Sequence, residues 1–448
     1  MEFFVVPQFT TVNSFTTIKL VVRSEIMVYS KPKGTYDVLP SESGKWHFIE
    51  GIVREVARVY HAQEIRTPIF ESSELFHRAA GETSDVVIKE TYDFTDRNNR
   101  NMTLRPEGTA GVVRSFIANK LYTKTGAQKM FYIGPMFRYE HPQSGRYRQH
   151  IQFGVESFGS DSPSTDVEII SMACLIIEKL GLDNNVNVKL NSLGGDASRA
   201  LYRKALVEHF APYKESLCLD CQVRFEKNPL RILDCKRDAD NEAMKLAPEM
   251  IDYLIPEDLD YFNTVKAGLV AAGIAFEYDQ NLVRGFDYYT HTIFEVQADI
   301  PGFGAQTTLC GGGRYDKLVE ELGGPATPGI GFGMGLERVL LALEAAQIVH
   351  GEDGGVAVFF LPMGEAARML TTEVMRNLRA AGVSCEADFS DRKLKNRFKL
   401  ADDSGAKYAI VIGDNEVASR VFNVKDAKTG EQSVVNAREL IKFMKGSD

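Results

Sequence analysis

Four short segments gather side chains that could do chemistry. In HIQFGVESFG the alternation of a strand puts His150, Gln152, Gly154 and Glu156 on one face, and Ile151, Phe153 and Val155 on the other. The segment before it, KMFYIGPMFRYE, reads as the incoming strand of a hairpin whose charged loop is HPQSGRYRQ. Arg138 and Glu140 are expected to share a face of that strand, so the hairpin could bring both polar sets to one surface. A solvated face of an antiparallel sheet would look the same. In LRPEGTA, Glu107 and Thr109 could hold an ammonium group, but a helix N-terminus favours the same residues and alone is the better explanation. In LVRGFDYYT, Arg284 sits in an apolar and aromatic stretch with Tyr288 and Tyr289. A guanidinium in such surroundings needs an anion: a phosphate, a carboxylate, or Asp287 nearby. GIGFGMGLER spaces glycines before a helix, which lets a ligand approach the backbone, with Arg338 on the helix's first turn. It lacks the GK[ST] ending of a P-loop and is too irregular for a dinucleotide fingerprint.

The elements that must position these residues follow from periodicity. Trp46, Ile49, Val53, Val56 and Tyr60 recur at helical spacing after Pro40. EIRTPIFESSELF reads as a strand that Pro68 confines to an edge or interrupts. Short strands are expected in VVIKETYDFTD and MTLRP, turning at Arg97 to Arg100, then a helix from Glu107 to Tyr122. Thr165 and Glu168 suggest a capping box for a buried helix ending at Gly181. Residues from about 190 to 280 are mostly helical and polar, like an insertion into a sheet domain. Strands return at NLVRGFDYYTHTIFEVQAD, QTTLCGGGRYD and Gly329 to Gly335, then a helix from Leu336 to Ala346. GEDGG, residues 351–355, reads as a linker. Beyond it, residues 356–448 alternate strand and helix, with a hairpin turning at Lys428 to Gly430 and a last helix, as a small α/β domain would.

The 448 residues, 44% hydrophobic and 25% charged, predict a globular protein of two or three domains. No apolar run approaches the roughly 18–20 residues of a membrane helix. A net charge of −9 neither supports nor excludes an RNA partner, because a local patch decides that. Six scattered cysteines are expected to be reduced thiols of a cytoplasmic protein. The pair Cys218/Cys221, with Cys235 and His209 near, suggests zinc, but no second close pair accompanies it, so plain thiols are the expectation. Residues 1–29 make a poor signal peptide, with Glu2, Pro7 and Asn13 interrupting any apolar core. They are expected to be a disordered extension, or to reflect a start assigned too far upstream.

Together these segments resemble the class II aminoacyl-tRNA synthetases. FRYE, a loop and the returning strand look like motif 2 of that class, GIGFGMGLERV like motif 3, and the long helix leading to Pro68 like the dimerising motif 1. LVRGFDYYT and GGGRYD narrow the resemblance to the histidyl-tRNA synthetase family, over nearly everything from Ser30 to Met444. The resemblance implies an α+β catalytic domain over residues 30–350, on a mainly antiparallel sheet with the helical insertion, and a C-terminal α/β anticodon-binding domain. It implies a cytoplasmic homodimer that activates L-histidine with ATP and Mg²⁺ and transfers it to tRNA(His). The metal would come with ATP rather than in a protein cage.

Residue by residue, the resemblance gives Arg138 to the ATP α-phosphate, Glu140 to the adenine amino group and Arg338 to the γ-phosphate. Glu107, Thr109 and Gln152 would hold the α-amino group of histidine. Glu156 and Tyr289 would bracket the imidazole, with Tyr288 lining the pocket, and Arg284 would stand by the carboxylate and α-phosphate. Gln143, Arg146 and Arg148 of the motif 2 loop would approach the tRNA acceptor end. Arg392, Lys393, Lys395, Arg397 and Lys399, placed on one helix, suit phosphate contacts or simply a solvated face. Two departures stand out: His150 replaces the family's usual phenylalanine near the adenine, and GGGRYD replaces AGGRYD. The competing reading is a non-catalytic relative, such as the regulatory subunit of ATP phosphoribosyltransferase. That protein resembles the catalytic domain but lacks the C-terminal one and degrades the histidine signatures.

Overall fold

The helix Pro40–Val59 starts on a proline, carries Glu42 in its first turn, and buries Trp46, Ile49, Val53 and Val56 along one stripe. That stripe faces a sheet whose own apolar face demands cover. The computed structural model describes residues 29–446 apart from 82–83, 85–86, 88, 305–306 and 349–354. The extension expected over residues 1–29 lies outside the described residues except for Tyr29. The chain divides into two compact units, one up to Val349 and one from His350.

The first unit is built on strands β1 (Gln63–Glu64), β2 (Phe70–Ser72), β3 (Tyr92–Thr95), β4 (Asn101–Leu104), β5 (Gln128–Phe137), β6 (Gln149–Phe158), β7 (Val186–Ser192), β8 (Glu277–Tyr278), β9 (Thr290–Ala298), β10 (Thr308–Arg314) and β11 (Gly329–Gly335). Eight of them form one sheet in the order β1-β5-β6-β11-β10-β9-β7-β8, and β2, β4 and β3 form a small separate sheet. The large sheet is antiparallel throughout its centre and parallel only where the two-residue strands β1 and β8 join its edges. This is the mainly antiparallel α+β architecture expected.

One face of the sheet, with Phe131, Phe153, Val155, Phe294, Val296, Ile330, Phe332 and Met334, packs under the helices Pro40–Val59, Pro163–Lys179, Pro256–Ala271 and Leu336–Ala345. The opposite face carries Met130, Tyr132, Met136 and Ile293, packed with residues of the helices Ser73–Ala80 and Thr109–Ala118. Arg314, at the end of β10, has no exposure, and Asp166 in the first turn of the helix Pro163–Lys179 has none either. Arg314 donates to Asp166, to Ser160 O at 2.9 Å and to Asp316 Oδ1 at 2.9 Å, tying helix to strand.

Several elements differ from the sequence reading. Pro68 does not sit within one strand: it separates β1 from β2, which join different sheets, and SELF begins the helix Ser73–Ala80. A proline offers no N–H to a ladder, so the chain breaks there. The helix after LRPEG starts at Thr109, not Glu107, and ends at Ala118. The expected capping box is not formed. Ser162 caps the helix by accepting from Ser164 N, Thr165 shares a hydrogen bond with Ser160, and Glu168 pairs with Lys129. β5 ends at Phe137, so Arg138 and Glu140 lie beyond it, where Glu140 N turns back onto Arg138 O at 2.8 Å. Within the stretch of about 190–280, β7 ends at Ser192 and the helix Pro256–Ala271 packs into the main core. Only the segment between them builds a core of its own, from Tyr202, Leu206, Phe210, Ile232 and Met250 among others. Part of VVIKE lies outside the described residues.

The second unit has strands β12 (Val358–Pro362), β13 (Cys385–Ala387), β14 (Tyr408–Ile412), β15 (Val421–Asp426) and β16 (Gln432–Asn436), in the order β13-β12-β14-β15-β16. The first three are parallel and the last two form a hairpin. The basic run does not lie on one helix. Arg392 and Lys393 precede the helix Leu394–Asp403, and Arg397 is buried, paired with Asp388 at 3.1 Å and donating to Pro362 O at 2.8 Å. Arg397 thus holds the fold, and Arg392, Lys393, Lys395 and Lys399 are the exposed cations of that run. No helix among the described residues is long and apolar enough to cross a membrane.

Removing one partner of a buried ion pair leaves a charge without compensation. Arg314→Ala is expected to destabilise the first unit by roughly 3–5 kcal/mol, measured by urea unfolding; a loss within experimental error would show that the pair holds nothing.

Candidate active site

On the face of the sheet opposite the main core, β11 presents glycine at every second residue, and the neighbouring strand leans across it. A Cβ on Gly331 would strike Glu156 Oε2, and one on Gly333 would strike Gln152 Nε2. Across the next strand, a Cβ on Gly311 would strike the Arg284 guanidinium. These glycines do not chiefly admit a ligand to the backbone. They make room for three polar side chains to lie flat on the floor of the sheet.

Glu156 is 1% exposed. Its Oε1 accepts from Thr109 Oγ1 at 2.7 Å and Tyr132 OH at 3.4 Å, and its Oε2 accepts from Tyr315 OH. Burial pushes its carboxyl up to about 8; the hydroxyl hydrogen bonds oppose that shift and nearby Glu107 adds to it. Glu107 is itself buried and caps the helix Thr109–Ala118, accepting from Thr109 N at 2.6 Å and Ala110 N at 2.8 Å. Burial raises its carboxyl too, against the pull of those backbone donors. The expectation of a helix cap at Glu107 is therefore met in the geometry. Tyr288 and Tyr289 are buried in the same aromatic cluster, Tyr288 stacking on Phe286 at 5.2 Å and meeting Tyr315 edge-on at 5.7 Å.

Beside this tyrosine-lined recess lies a cavity rich in cations, lined by Arg138, Glu140, Arg146, His150, Gln152, Arg284, Glu337 and Arg338 among others. Arg138 is steadied by Pro106 O at 2.8 Å, and Arg338 by Gly145 O at 3.1 Å and Thr308 O at 2.8 Å. Arg284 pairs with Glu295, not with Asp287, which accepts from Asn228 Nδ2 at 2.9 Å. Burial alone would depress the Arg284 guanidinium, but Glu295 and the two tyrosines hold it above its ordinary range. His150 is pushed down to about 3, first by burial and then by Arg138 and Arg338, so its ring is neutral. Gln152 Oε1 is buried without a hydrogen-bond partner.

Of the residues singled out in the sequence, the structure brings Arg138, Glu140, Gln152, Arg284 and Arg338 to one cavity, and gathers Glu107, Thr109, Glu156, Tyr288 and Tyr289 behind it. In the hairpin loop Gln143 is exposed, whereas Arg146 turns inward to Glu140 at 3.3 Å and Arg148 stacks 3.8 Å over Tyr139. The sequence reading missed Tyr132, Tyr315 and Glu295. Glu295 carried a signal: it is an acid in the apolar strand THTIFEVQA, where a charge requires a partner. Tyr315 lies inside the GGGRYD signature, which was the signal for it, whereas Tyr132 carried none, because buried tyrosines are common.

The family model described as histidyl-tRNA synthetase matches residues 34–208 and 228–339, and that of an anticodon binding domain matches residues 357–447. A histidine–tRNA ligase of Bacillus licheniformis is 50% identical over 420 residues, covering 94% of this chain and 99% of that protein. That of Bacillus subtilis is 50% identical over 422 residues with the same coverage. A solved structure of apo histidyl-tRNA synthetase from S. aureus superposes with a TM-score of 0.80 at 42% identity, covering 93% of this chain and all of that one. The chain belongs to the histidyl-tRNA synthetase family. The two signatures LVRGFDYYT and GGGRYD therefore have a structural meaning in this synthetase: the first supplies Arg284 and the tyrosines, the second supplies Gly311 beneath Arg284 and Tyr315 against Glu156.

Two outcomes follow. Gly331→Ala must displace Glu156 or the strand, so it should destabilise the first unit by roughly 1–3 kcal/mol, measured by urea unfolding; a loss within experimental error would show that Glu156 does not fill the space above Gly331. Between the ordinary 4.5 and about 8, the unfolded chain has lost the Glu156 proton and the folded chain keeps it, so stability falls as pH rises through that window. Glu156→Gln does not titrate, so its melting temperature relative to the parent should climb steadily from about pH 5 to about pH 8. A difference flat with pH would mean the carboxyl is not raised.

Proposed function

We propose that this sheet face joins L-histidine to the 3′ end of tRNA(His) in two steps, in a cytoplasmic homodimer. Family membership supports the ligase chemistry, and the fully buried Glu156 is the observation that supports the amino acid. A pocket that offers a buried, oriented acceptor to a ring N–H discriminates against side chains that cannot donate, because they forfeit that hydrogen bond and still have to fit the same polar recess.

In the first step the histidine carboxylate attacks the α-phosphorus of ATP in line, forming histidyl-adenylate and releasing pyrophosphate. Negative charge builds on the α-phosphate oxygens, and Arg138 and Arg284 meet it already oriented by Pro106 O and Glu295. Arg338, braced by two carbonyls, takes the γ-phosphate. Mg²⁺ enters with the triphosphate as part of the substrate. The neutral ring of His150 stacks on the adenine without opposing the surrounding cations, and Glu140 accepts from the adenine amino group. The α-ammonium lies against Gln152, whose Oε1 has no other partner, with Thr109 and Glu107 beyond it. Glu156 and Tyr289 bracket the imidazole, Tyr288 lines the recess, and no covalent intermediate on the enzyme is required, so positioning supplies much of the rate.

In the second step the terminal adenosine hydroxyl of the tRNA attacks the adenylate carbonyl and AMP leaves. Exposed Gln143 at the hairpin tip, with Arg146 and Arg148 behind it, approaches the acceptor end. The second unit, with the exposed Arg392, Lys393, Lys395 and Lys399, takes the anticodon arm.

Exchange of labelled pyrophosphate into ATP, run against all twenty amino acids, tests the reading. Exchange with histidine alone is expected, and Glu156→Ala should lower it by on the order of 10²-fold or more. Exchange with another amino acid, or an unchanged rate in the variant, would overturn the assignment of the pocket.

A further inference from the structure

Away from the sheet face, the segment between β7 and the helix Pro256–Ala271 holds a cluster that the synthetase reaction does not use. Cys218 is the N-cap of the helix Leu219–Lys227 and Cys221 lies in its first turn. Cys235 follows the turn Pro229–Ile232, and Asp238 follows three residues later. Asp238 folds back so that both its oxygens accept from Cys218 N at 3.1 Å. The three sulfurs and a carboxylate oxygen all lie within 4.8 Å of one another. His209, near in sequence, is not among them: its Nε2 bonds to Ala243 O at 2.8 Å.

We propose that Cys218, Cys221, Cys235 and Asp238 form a structural zinc site. Zinc at about 2.3 Å from each sulfur in a tetrahedron sets neighbouring sulfurs about 3.8 Å apart; Cys218 Sγ and Cys235 Sγ are 3.7 Å apart. The ligands come as two short pairs, C-x-x-C and C-x-x-D, which is the paired-knuckle arrangement with a carboxylate as the fourth donor. That substitution is why the second pair is invisible to a search for cysteines. Cys221 has no exposure, Cys235 and Asp238 are each 7% exposed, and Cys218 is half-buried at the rim, so three of the four donors are closed off from solvent, as in structural zinc sites. Binding converts three thiols and one carboxylate to a Zn(S)₃(O) centre and releases three protons to solvent, with no change of oxidation state.

The position gives the metal a purpose. The surrounding core is small, and cores of that size are commonly stapled by a metal or disulfides. Between Cys221 and Cys235 the same loop carries Asn228, which bonds to Asp287, and Arg231, which donates to Arg284 O at 3.3 Å. A staple at the base of that loop would hold the segment that carries Arg284 and the two pocket tyrosines.

The full chain, purified under reducing conditions without chelator, should contain about one zinc per chain by elemental mass spectrometry. After chelation and reloading with Co²⁺ it should show the thiolate charge-transfer and visible bands of a tetrahedral site, and Cys218 should become protected from alkylation. Asp238→Asn and Cys221→Ser should lose the metal. If those variants do not fold, the cobalt spectrum of the parent still decides. A folded parent chain that neither contains zinc nor takes up Zn²⁺ or Co²⁺ would overturn the site, as would an intact mass two hydrogens lighter, the mark of a disulfide.

Discussion

A carboxyl group that water cannot reach must be answered entirely by its neighbours, and Glu156 dictates what those neighbours are. It requires a glycine on the adjacent strand, because any Cβ at Gly331 would occupy its oxygen. It requires hydroxyls rather than cations around it, and Thr109, Tyr132 and Tyr315 supply them from three separate parts of the chain. Tyr132 in turn needs space, which glycines at 108 and 154 leave open for its ring. The dense glycines of this sheet are therefore one half of a packing arrangement whose other half is polar. Burying a polar group without partners is costly, so the arrangement persists only as a whole.

Much of this was legible because it follows from short periods. Alternation alone puts Gln152 and Glu156 on one face of β6 and Phe153 and Val155 on the other, and register with β11 then places glycine beside each. The antiparallel hairpin, the glycine strand and the strand–helix alternation of the second unit were readable for the same reason. What periodicity cannot supply is where a strand stops. β5 was read through Glu140 but ends at Phe137, since the loop's own hydrogen bonds to Arg148 and Arg138 compete with the ladder. Nor can it supply partners distant in sequence. Arg284 was expected to need an anion, and Asp287 was the near choice, but Glu295 on β9 faces it and Asp287 turns to Asn228. Arg397 looked like one more cation of a basic run, and only the tertiary fold shows it buried against Asp388. Asp238 escaped for a related reason: an acid among charged residues gives no sign that it folds back onto three thiols.

The site also shows a division of labour between rigid and adjustable parts. Its floor consists of strand residues, and strands fix side chains more tightly than loops do. Glu156, Gln152 and Glu295 are of this kind. Arg138, Arg146 and Arg338 reach over the floor from a strand end, a loop and a helix start, Arg138 anchored by a carbonyl, Arg146 by a carboxylate and Arg338 by two carbonyls. A guanidinium has five donors, so one held by one or two acceptors still has N–H groups to offer an anion. Such anchoring lowers the cost of organising the site when charge moves during the reaction.

Arg284 stands between these two classes. It comes from a loop, yet it lies on Gly311, pairs with Glu295 and has its own carbonyl bound by Arg231 from the small helical core. The anion pairing sets its charge, the glycine sets its depth, and Arg231 sets the path of its backbone. Only the last of these lies outside the sheet. A change in the helical core, whether by substitution or by loss of whatever closes it, would thus reach the reacting centre through the Arg284 backbone. The charge on Arg284 would be unaltered and the floor beneath it intact, so its effect would appear in the placement of the Arg284 guanidinium and of Tyr288 and Tyr289, which follow it in the same segment.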